Sequence, residues 1–498
     1  MLFNSIDYLF FFPIVLLIYY LIPHKVKHVW LLLASYYFYM CWNAEYALLI
    51  FSSTVVTYVC GLALEKIKQA EGKGEAKRRC MKVAVFVTAL LNFSVLFYFK
   101  YTNFVLYTVK KGFGLLGIHV DIPSFDVLLP VGISFFTFQV VGYVIDVYRN
   151  ETSAEKNFVR YALFVSFFPK LVSGPIERSE NLLNQLKEIK SFNVFRVKSG
   201  LLTIAYGLFL KIVIADNISN IINPVFSKVE EYGGMELLVA AILFAFQVYC
   251  DFEGYTKMAI GSAELLGYHL LENFRAPYLA ISVKDFWRRW HISLTSWFRD
   301  YLYIPIGGSK QGKIRKQVNT LIVFLCSGLW HGAAWHYVLW GGLNGLLSVG
   351  DDLLTPIKKR WSSCFKMGEK SLMYRTVCRL ITFILIDITW VFFRADSVRD
   401  AIYILVSVVK DFRFIWFTNG GFATLFLSER EMMIIMLSLL ILFLVDYLRE
   451  RGNNIKTIIF SWNIVFRWMF YWMCFMIILY WGAYGLDYEQ KQFIYFQF

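Results

Sequence analysis

The sequence predicts an all-α, polytopic integral membrane protein, and three observations carry that prediction. Of its 498 residues 58% are hydrophobic, 19% aromatic and only 17% charged, far from the mixture of a soluble domain. Apolar runs recur along the chain at about 20 residues, the length that crosses a hydrocarbon core. The basic residues behind the net charge of +14 sit in short clusters between those runs, as in cytoplasmic loops. No basic fold with stacking platforms can be read in that pattern, so no nucleic-acid partner is expected. The eight cysteines (41, 60, 80, 250, 326, 364, 378, 474) contain no CxxC pair, so neither a metal site nor a disulfide framework is expected and they read as buried thiols.

Taken in order, the elements begin with Tyr8 to Ile22, an apolar run preceded by Asp7 rather than by basic residues. No small-residue cleavage site follows before Pro23-His24-Lys25, which predicts a first membrane segment rather than a removed signal peptide. Further segments are expected near 28–43, 45–64, 81–100, 127–147, 157–172, 198–216, 235–250, 318–335, 336–350, 377–394, 431–447 and 465–485. About 11–14 membrane helices result. The shorter or polar-interrupted pieces 101–115, 254–268 and 284–306 read as re-entrant or interfacial helices. Six Lys or Arg between Lys66 and Arg79, with Lys25 and Lys27 before, place both ends of the 28–64 pair in the cytoplasm and the N-terminus outside. Lys310, Lys313, Arg315 and Lys316 form a second basic cluster, and Lys358, Lys359 and Arg360 a third. The chain reads as one membrane domain over 1–498, with N-terminal helices 1–125, a core 126–400 and C-terminal helices 401–498.

Inside the apolar run from about Leu321 to Leu347 stands Ser327-Gly328-Leu329-Trp330-His331-Gly332-Ala333-Ala334-Trp335. An ionisable group at membrane depth is costly and by default functional, the alternative being a packing histidine bonded to a backbone carbonyl. Fifteen helical residues beyond Lys316, at ~1.5 Å each, place His331 roughly 22 Å along the helix and well inside a bilayer. A second constellation runs from Lys284 to Tyr303. As one helix it sets Trp287, Trp290, Leu294, Trp297 and Phe298 along one face with Asp285, Arg288, Arg289 and Arg299 to the sides, as suits an interface. That reading explains His291 and the following Ile304-Pro305-Ile306-Gly307-Gly308 poorly. Three further stretches are punctuated by small, polar or proline residues: Leu129 to Gln139, Phe167 to Pro175 with Ser173, and Tyr249 to Tyr255 with Asp251 and Glu253. Each alone has a packing explanation; together they suggest a polar tunnel.

The stretches Leu129 to Arg149, Phe167 to Arg178, Tyr249 to Gly261, Asn273 to Tyr278, Phe286 to Gly308, Gly328 to Gly341 and Trp390 to Asp396, in this order, resemble the membrane-bound O-acyltransferase family. Within it they are most similar to a bacterial branch of alginate O-acetylation, peptidoglycan O-acetylation and teichoic-acid D-alanylation membrane proteins. The resemblance runs from the first helix to about residue 400. It implies a ring of helices around a central funnel in a bacterial cell (inner/plasma) membrane, with a cytoplasmic acyl donor and an external acceptor. His331 corresponds to the family's signature histidine and His291 to its second active-site residue; His336 inherits no role. The chain departs from the family pattern at Lys170, Glu253, Lys257 and Arg275.

Transfer of an acyl group from a thioester to a hydroxyl needs a base, stabilisation of the oxyanion and exclusion of water, and a neutral imidazole of intrinsic pKa ~6.5 suits the first task. His331 is the expected base and His291 its orienter or a carbonyl ligand. Trp330, Trp287 and Trp290 are expected to shape a dry tunnel, lined further by Asp251, Tyr255, Ser173, Pro175, Arg288 and Arg289. Spacing alone establishes no Ser-His-Asp or Cys-His grouping, so a covalent acyl intermediate on a hydroxyl or on Cys250 stays open, with a buried thiol the leading reading of Cys250. The leading expectation is an O-acyltransferase carrying an acetyl group from acetyl-coenzyme A or an acyl-carrier-protein thioester towards a polysaccharide. No tightly bound cofactor is expected; the partners are membrane lipid, the donor and an extracytoplasmic SGNH-type acyltransferase or esterase. The alternatives are D-alanyl transfer to teichoic acid, acylation of peptidoglycan or lipid, and, from another class, a transporter or channel with a histidine-lined path. Transporters often carry an internal repeat, and none is evident here.

Overall fold

The protein's computed structural model describes residues 1–70, 74–120, 123, 125, 129–172, 174–188, 190–364, 371–425 and 428–484, and side chains throughout these except at 357–364 and 424. Every regular element among them is helical. The chain forms two compact units, Met1–Leu201 with Ala259–Leu271 and Leu202–Met258 with Glu272–Phe498.

The first unit holds α1 (Ile6–Leu21), α2 (Lys27–Met40), α3 (Ala47–Gln69), α4 (Gly74–Leu115), α5 (Ile133–Arg149), α6 (Phe158–Ser166), the single turn α7 (Phe168–Leu171) and the start of α8 (Val194–Leu208). Two of the punctuated stretches meet here. Gly132, at φ 73°, starts α5 where a Cβ would fall on the Leu171 carbonyl oxygen. Gln139 on α5 donates to the Phe164 carbonyl at 2.8 Å and accepts from the Lys170 ammonium, which also donates to the Val165 carbonyl at 3.0 Å. Lys170, a departure from the family pattern, is buried but supplied with acceptors, as a charge in that position requires. Glu177 takes the Leu271 N–H and an Asn181 amide hydrogen, both at 2.6 Å. Pro175 is buried in this unit, and Ser173 lies outside the described residues.

The second unit continues through a π-helical turn (Phe209–Ala215), α9 (Asp216–Ser227), α10 (Gly234–Leu266) as far as Met258, α11 (Val283–Arg289), α12 (Ile292–Phe298) and a second π-helical turn (Arg299–Tyr303). It then forms α13 (Lys313–His331), α14 (Trp335–Cys364), α15 (Leu372–Arg394), α16 (Val398–Lys410), α17 (Ile415–Thr418), α18 (Gly421–Thr424), α19 (Glu429–Glu450), α20 (Ile455–Ser461) and α21 (Ile464–Trp481). Side-chain oxygens of Ser5, Asn157, Ser282, Ser397, Ser428, Asn454 and Asn463 accept N–H groups at helix starts, meeting donors that helix ends leave over. α13 and α14 form a close hairpin. A Cβ on Gly328 would fall on the Tyr337 carbonyl, and one on Gly341 on the Phe324 carbonyl, so glycine sets their approach.

Seven helical stretches among the described residues are long and apolar enough to cross a membrane: α3, α4, Val194–Ser227, α10, α15, α19 and α21. The all-α polytopic expectation holds, with differences in detail. Segments 101–115 and 254–268, expected to be separate re-entrant pieces, continue α4 and α10 without a break. The 16 residues of α1, 14 of α2, 17 of α5 and 9 of α6 fall short of a full span. The expected single helix over 284–303 breaks into α11, α12 and the π-helical turn, with its aromatic face buried in protein. Lys358, Lys359 and Arg360, expected in a loop, belong to the end of α14.

Candidate active site

α13 runs unbroken from Lys313 to His331 and ends because Gly332 turns extended. At that end the His331 imidazole folds back one turn, its Nδ1 lying 2.6 Å from the Ser327 carbonyl oxygen. A carbonyl only accepts, so Nδ1 carries the proton, and in the neutral ring Nε2 carries the lone pair. The ring is buried, with 3% of the residue exposed, among Trp330 (ring centroids 5.0 Å), Trp340 (4.8 Å) and Phe393 (5.7 Å).

His291 comes from the opposite side, at the junction of α11 and α12. Its backbone is left-handed, φ 44° and ψ 52°, a conformation costing an L-residue roughly 1–2 kcal/mol. The neighbouring chain holds it there. Ile292 N–H donates to the Asn273 carbonyl at 2.9 Å, and the Ser293 hydroxyl and N–H donate to Asn273 Oδ1 at 2.6 and 3.3 Å. A continuous helix would have spent those N–H groups on its own carbonyls, which is why the segment breaks. The imidazole, 1% exposed, meets Phe252 of α10 at 4.7 Å and Trp330 at 5.8 Å. The two histidine rings stand 6.4 Å apart between centroids, with planes at 84°.

Tryptophans surround the pair. Trp330 touches both histidines; Trp340 links His331 to Trp287 and Trp390, each at 5.7 Å, and Trp390 reaches Trp290 at 4.9 Å. The expected tunnel residues therefore divide. Trp330, Trp287 and Trp290 belong to this aromatic enclosure. Tyr255 is fully buried on α10. Asp251 lies in an ion pair, with Lys211 Nζ 2.7 Å from its carboxylate and 2.8 Å from that of Asp216. Arg288 is exposed, and Arg289 pairs with Asp285 and Glu450. His336 follows the break after α13 rather than continuing its helix, and its Nδ1–H donates to the Phe392 carbonyl at 3.1 Å. The seven cysteines with described side chains, Cys250 among them, are free.

Sequence reasoning missed Trp340, Phe393 and Phe252 as neighbours of the histidines and Asn273 as the support of His291. Trp340 lies in the stretch Gly328 to Gly341, but only the α13–α14 reversal brings it back beside His331. Two departures from the family pattern answer each other: Lys257 Nζ lies 3.3 Å from Glu253 one helical turn away and 3.3 Å from Glu272. The i, i+4 spacing carried that signal.

A buried imidazole pair inside an aromatic enclosure stands on a multi-pass helical membrane scaffold, and the class of enzyme follows from what the chain resembles. Residues 149–393 match the family model of the membrane-bound O-acyltransferases. The chain is 34% identical over 405 residues to the Probable alginate O-acetylase AlgI of Pseudomonas syringae pv. tomato, covering 80% of this chain and 74% of that one. It is 33% identical over 442 residues to the Peptidoglycan O-acetyltransferase of Helicobacter pylori, covering 82% and 80%. It is 27% identical over 273 residues to the Teichoic acid D-alanyltransferase of Bacillus subtilis, covering 52% and 67%. The chain belongs to the membrane-bound O-acyltransferase family and is an O-acyltransferase of the membrane.

Proposed function

We propose that the protein moves an acetyl group from a cytoplasmic thioester, acetyl-coenzyme A or an acyl carrier protein, towards hydroxyls of an extracellular or cell-wall polysaccharide. His331 is the general base. The observation that carries this reading is the His331 Nδ1–H bond to Ser327, which holds the neutral ring in the tautomer whose Nε2 can accept a proton. The two imidazoles share one enclosure, with ring centroids 6.4 Å apart, so one reacting group can engage both. The acceptor hydroxyl gives its proton to Nε2 as its oxygen attacks the thioester carbonyl. His291 steadies the oxyanion, the C–S bond breaks, and the proton passes to the leaving thiolate. The tryptophans exclude water that would hydrolyse the donor.

The names of the Pseudomonas and Helicobacter relatives support acetyl as the group and a polysaccharide as the acceptor. The charge pattern supports a cytoplasmic donor side at the 310–316 cluster and an extracytoplasmic N-terminus, and the bacterial relatives support the bacterial cell membrane. On this reading an extracytoplasmic SGNH-type partner completes delivery to the polymer.

The test is acetyl release from radiolabelled acetyl-coenzyme A by purified protein in liposomes, comparing wild type with His331→Ala after both are shown to fold. Turnover by the wild type that disappears in the variant supports the reading. Equal turnover removes His331 from the mechanism, and turnover only with an acyl carrier protein moves the donor to that class.

A further inference from the structure

Glu450, the last residue of α19, lies beyond the segment 149–393 that the family model covers, yet its carboxylate reaches the chain that carries His291. Arg289 Nη1 and Nη2 donate to its two oxygens at 2.6 and 3.1 Å, the two-pronged geometry that fixes orientation as well as distance. Arg289 Nε donates to Asp285 at 2.9 Å, so the guanidinium is locked from two sides. The Arg289 main chain is tied in as well. Its carbonyl accepts the Arg275 N–H at 3.0 Å, while on the far side of His291 the Ile292 N–H donates to the Asn273 carbonyl at 2.9 Å. Segments 273–275 and 289–292 are thereby joined before and after His291.

The preceding residue of α19 grips the same structure from the other segment. Arg449 lies 3.5 Å from Glu253 and 3.8 Å from Glu272, and one turn earlier Asp446 accepts from the Tyr249 hydroxyl at 3.0 Å. A left-handed histidine persists only where its surroundings over-determine it, and the end of α19 supplies part of that determination.

We propose that Glu450 is a positioning residue for acyl transfer: through Arg289 it fixes the turn that aims the His291 imidazole at His331. The proposal rests on His291 acting in the reaction. Arg375 Nη2, at 3.9 Å, also faces Glu450, but the two hydrogen bonds at 2.6 and 3.1 Å go to Arg289, so the effect runs through Arg289.

The experiment measures kcat, donor KM and melting temperature of the full chain in liposomes with radiolabelled acetyl-coenzyme A, for His291→Ala, Glu450→Gln, Arg289→Ala and Arg289→Lys. His291→Ala is expected to lower kcat about 100-fold. Glu450→Gln and Arg289→Lys lower kcat roughly tenfold with KM and melting temperature held, because a small misplacement of a reacting group costs rate and not binding. Free guanidinium at millimolar concentration restores kcat in Arg289→Ala. Wild-type kcat in Glu450→Gln while His291→Ala is inactive overturns the positioning role alone. A kcat loss in Glu450→Gln that only follows a fall in melting temperature also overturns it, reducing Glu450 to a stability element. Wild-type kcat in His291→Ala removes the site reading and this proposal with it.

Discussion

The second unit buries polar groups in two different kinds of company. On α10 and its neighbours three buried carboxylates face cations: Asp251 and Asp216 flank Lys211, and Glu253 stands between Lys257 and Arg449, all within 3.5 Å. The two histidines instead face aromatic rings, with one backbone carbonyl holding His331. The first arrangement cancels charge, which is what burial demands of a group with a structural task. The second sets the imidazoles among uncharged rings, the setting that the proposed proton transfer needs. Asp251, which sequence reasoning placed with the tunnel, sits in the first kind of company.

Four substitutions separate the two arrangements. His331→Ala is expected to cut acetyl transfer about a thousandfold with little change in melting temperature, a base being worth roughly 10²–10⁴. A large fall in melting temperature instead would make His331 a packing histidine. Lys211→Met should do the opposite, costing about 3–5 kcal/mol by leaving two buried carboxylates without their cation. Adding Asp216→Asn and Asp251→Asn recovers much of that loss in a detergent melt. Turnover lost at unchanged stability in Lys211→Met would move Asp251 back into the chemistry. Asn273→Ala sits between the two: it removes the acceptor of Ser293, for about 1–3 kcal/mol, and lets the His291 turn relax. A fall in kcat beyond what the melting curve explains would show the relaxation. The smallest effect belongs to His336→Ala, which forfeits one bond to Phe392 for roughly 0.5–1.5 kcal/mol and should leave turnover intact; a large loss of turnover would bring a third histidine into the site.

Much of the fold was legible because membrane spans announce themselves locally: about 20 apolar residues suffice, and the runs in α3, α15 and α19 needed no partner to be read. The joins were less legible. Nothing local says that 101–115 continues the helix before it, since the polar residues there resemble a break. Within the site, His331 was legible as an ionisable residue in an apolar run, while the pairing of Glu253 with Lys257 went unread although the helical spacing carries it. The kink at His291 was not, because the acceptors that break the helix are on Asn273. Nor was the packing of Trp340 and Phe393 against His331, which α14 and α15 bring to the end of α13.

The sequence by itself determined the class of scaffold, the depth of His331 along its helix and the pairing of charges one turn apart, because each depends on hydropathy or spacing along a single segment. Only the tertiary structure decided that His291 faces His331, that Asp251 belongs to Lys211, and that the end of α19 grips the His291 turn through Arg289. Those outcomes depend on which donors and acceptors distant segments bring together, and a buried polar group takes the partner that folding places beside it.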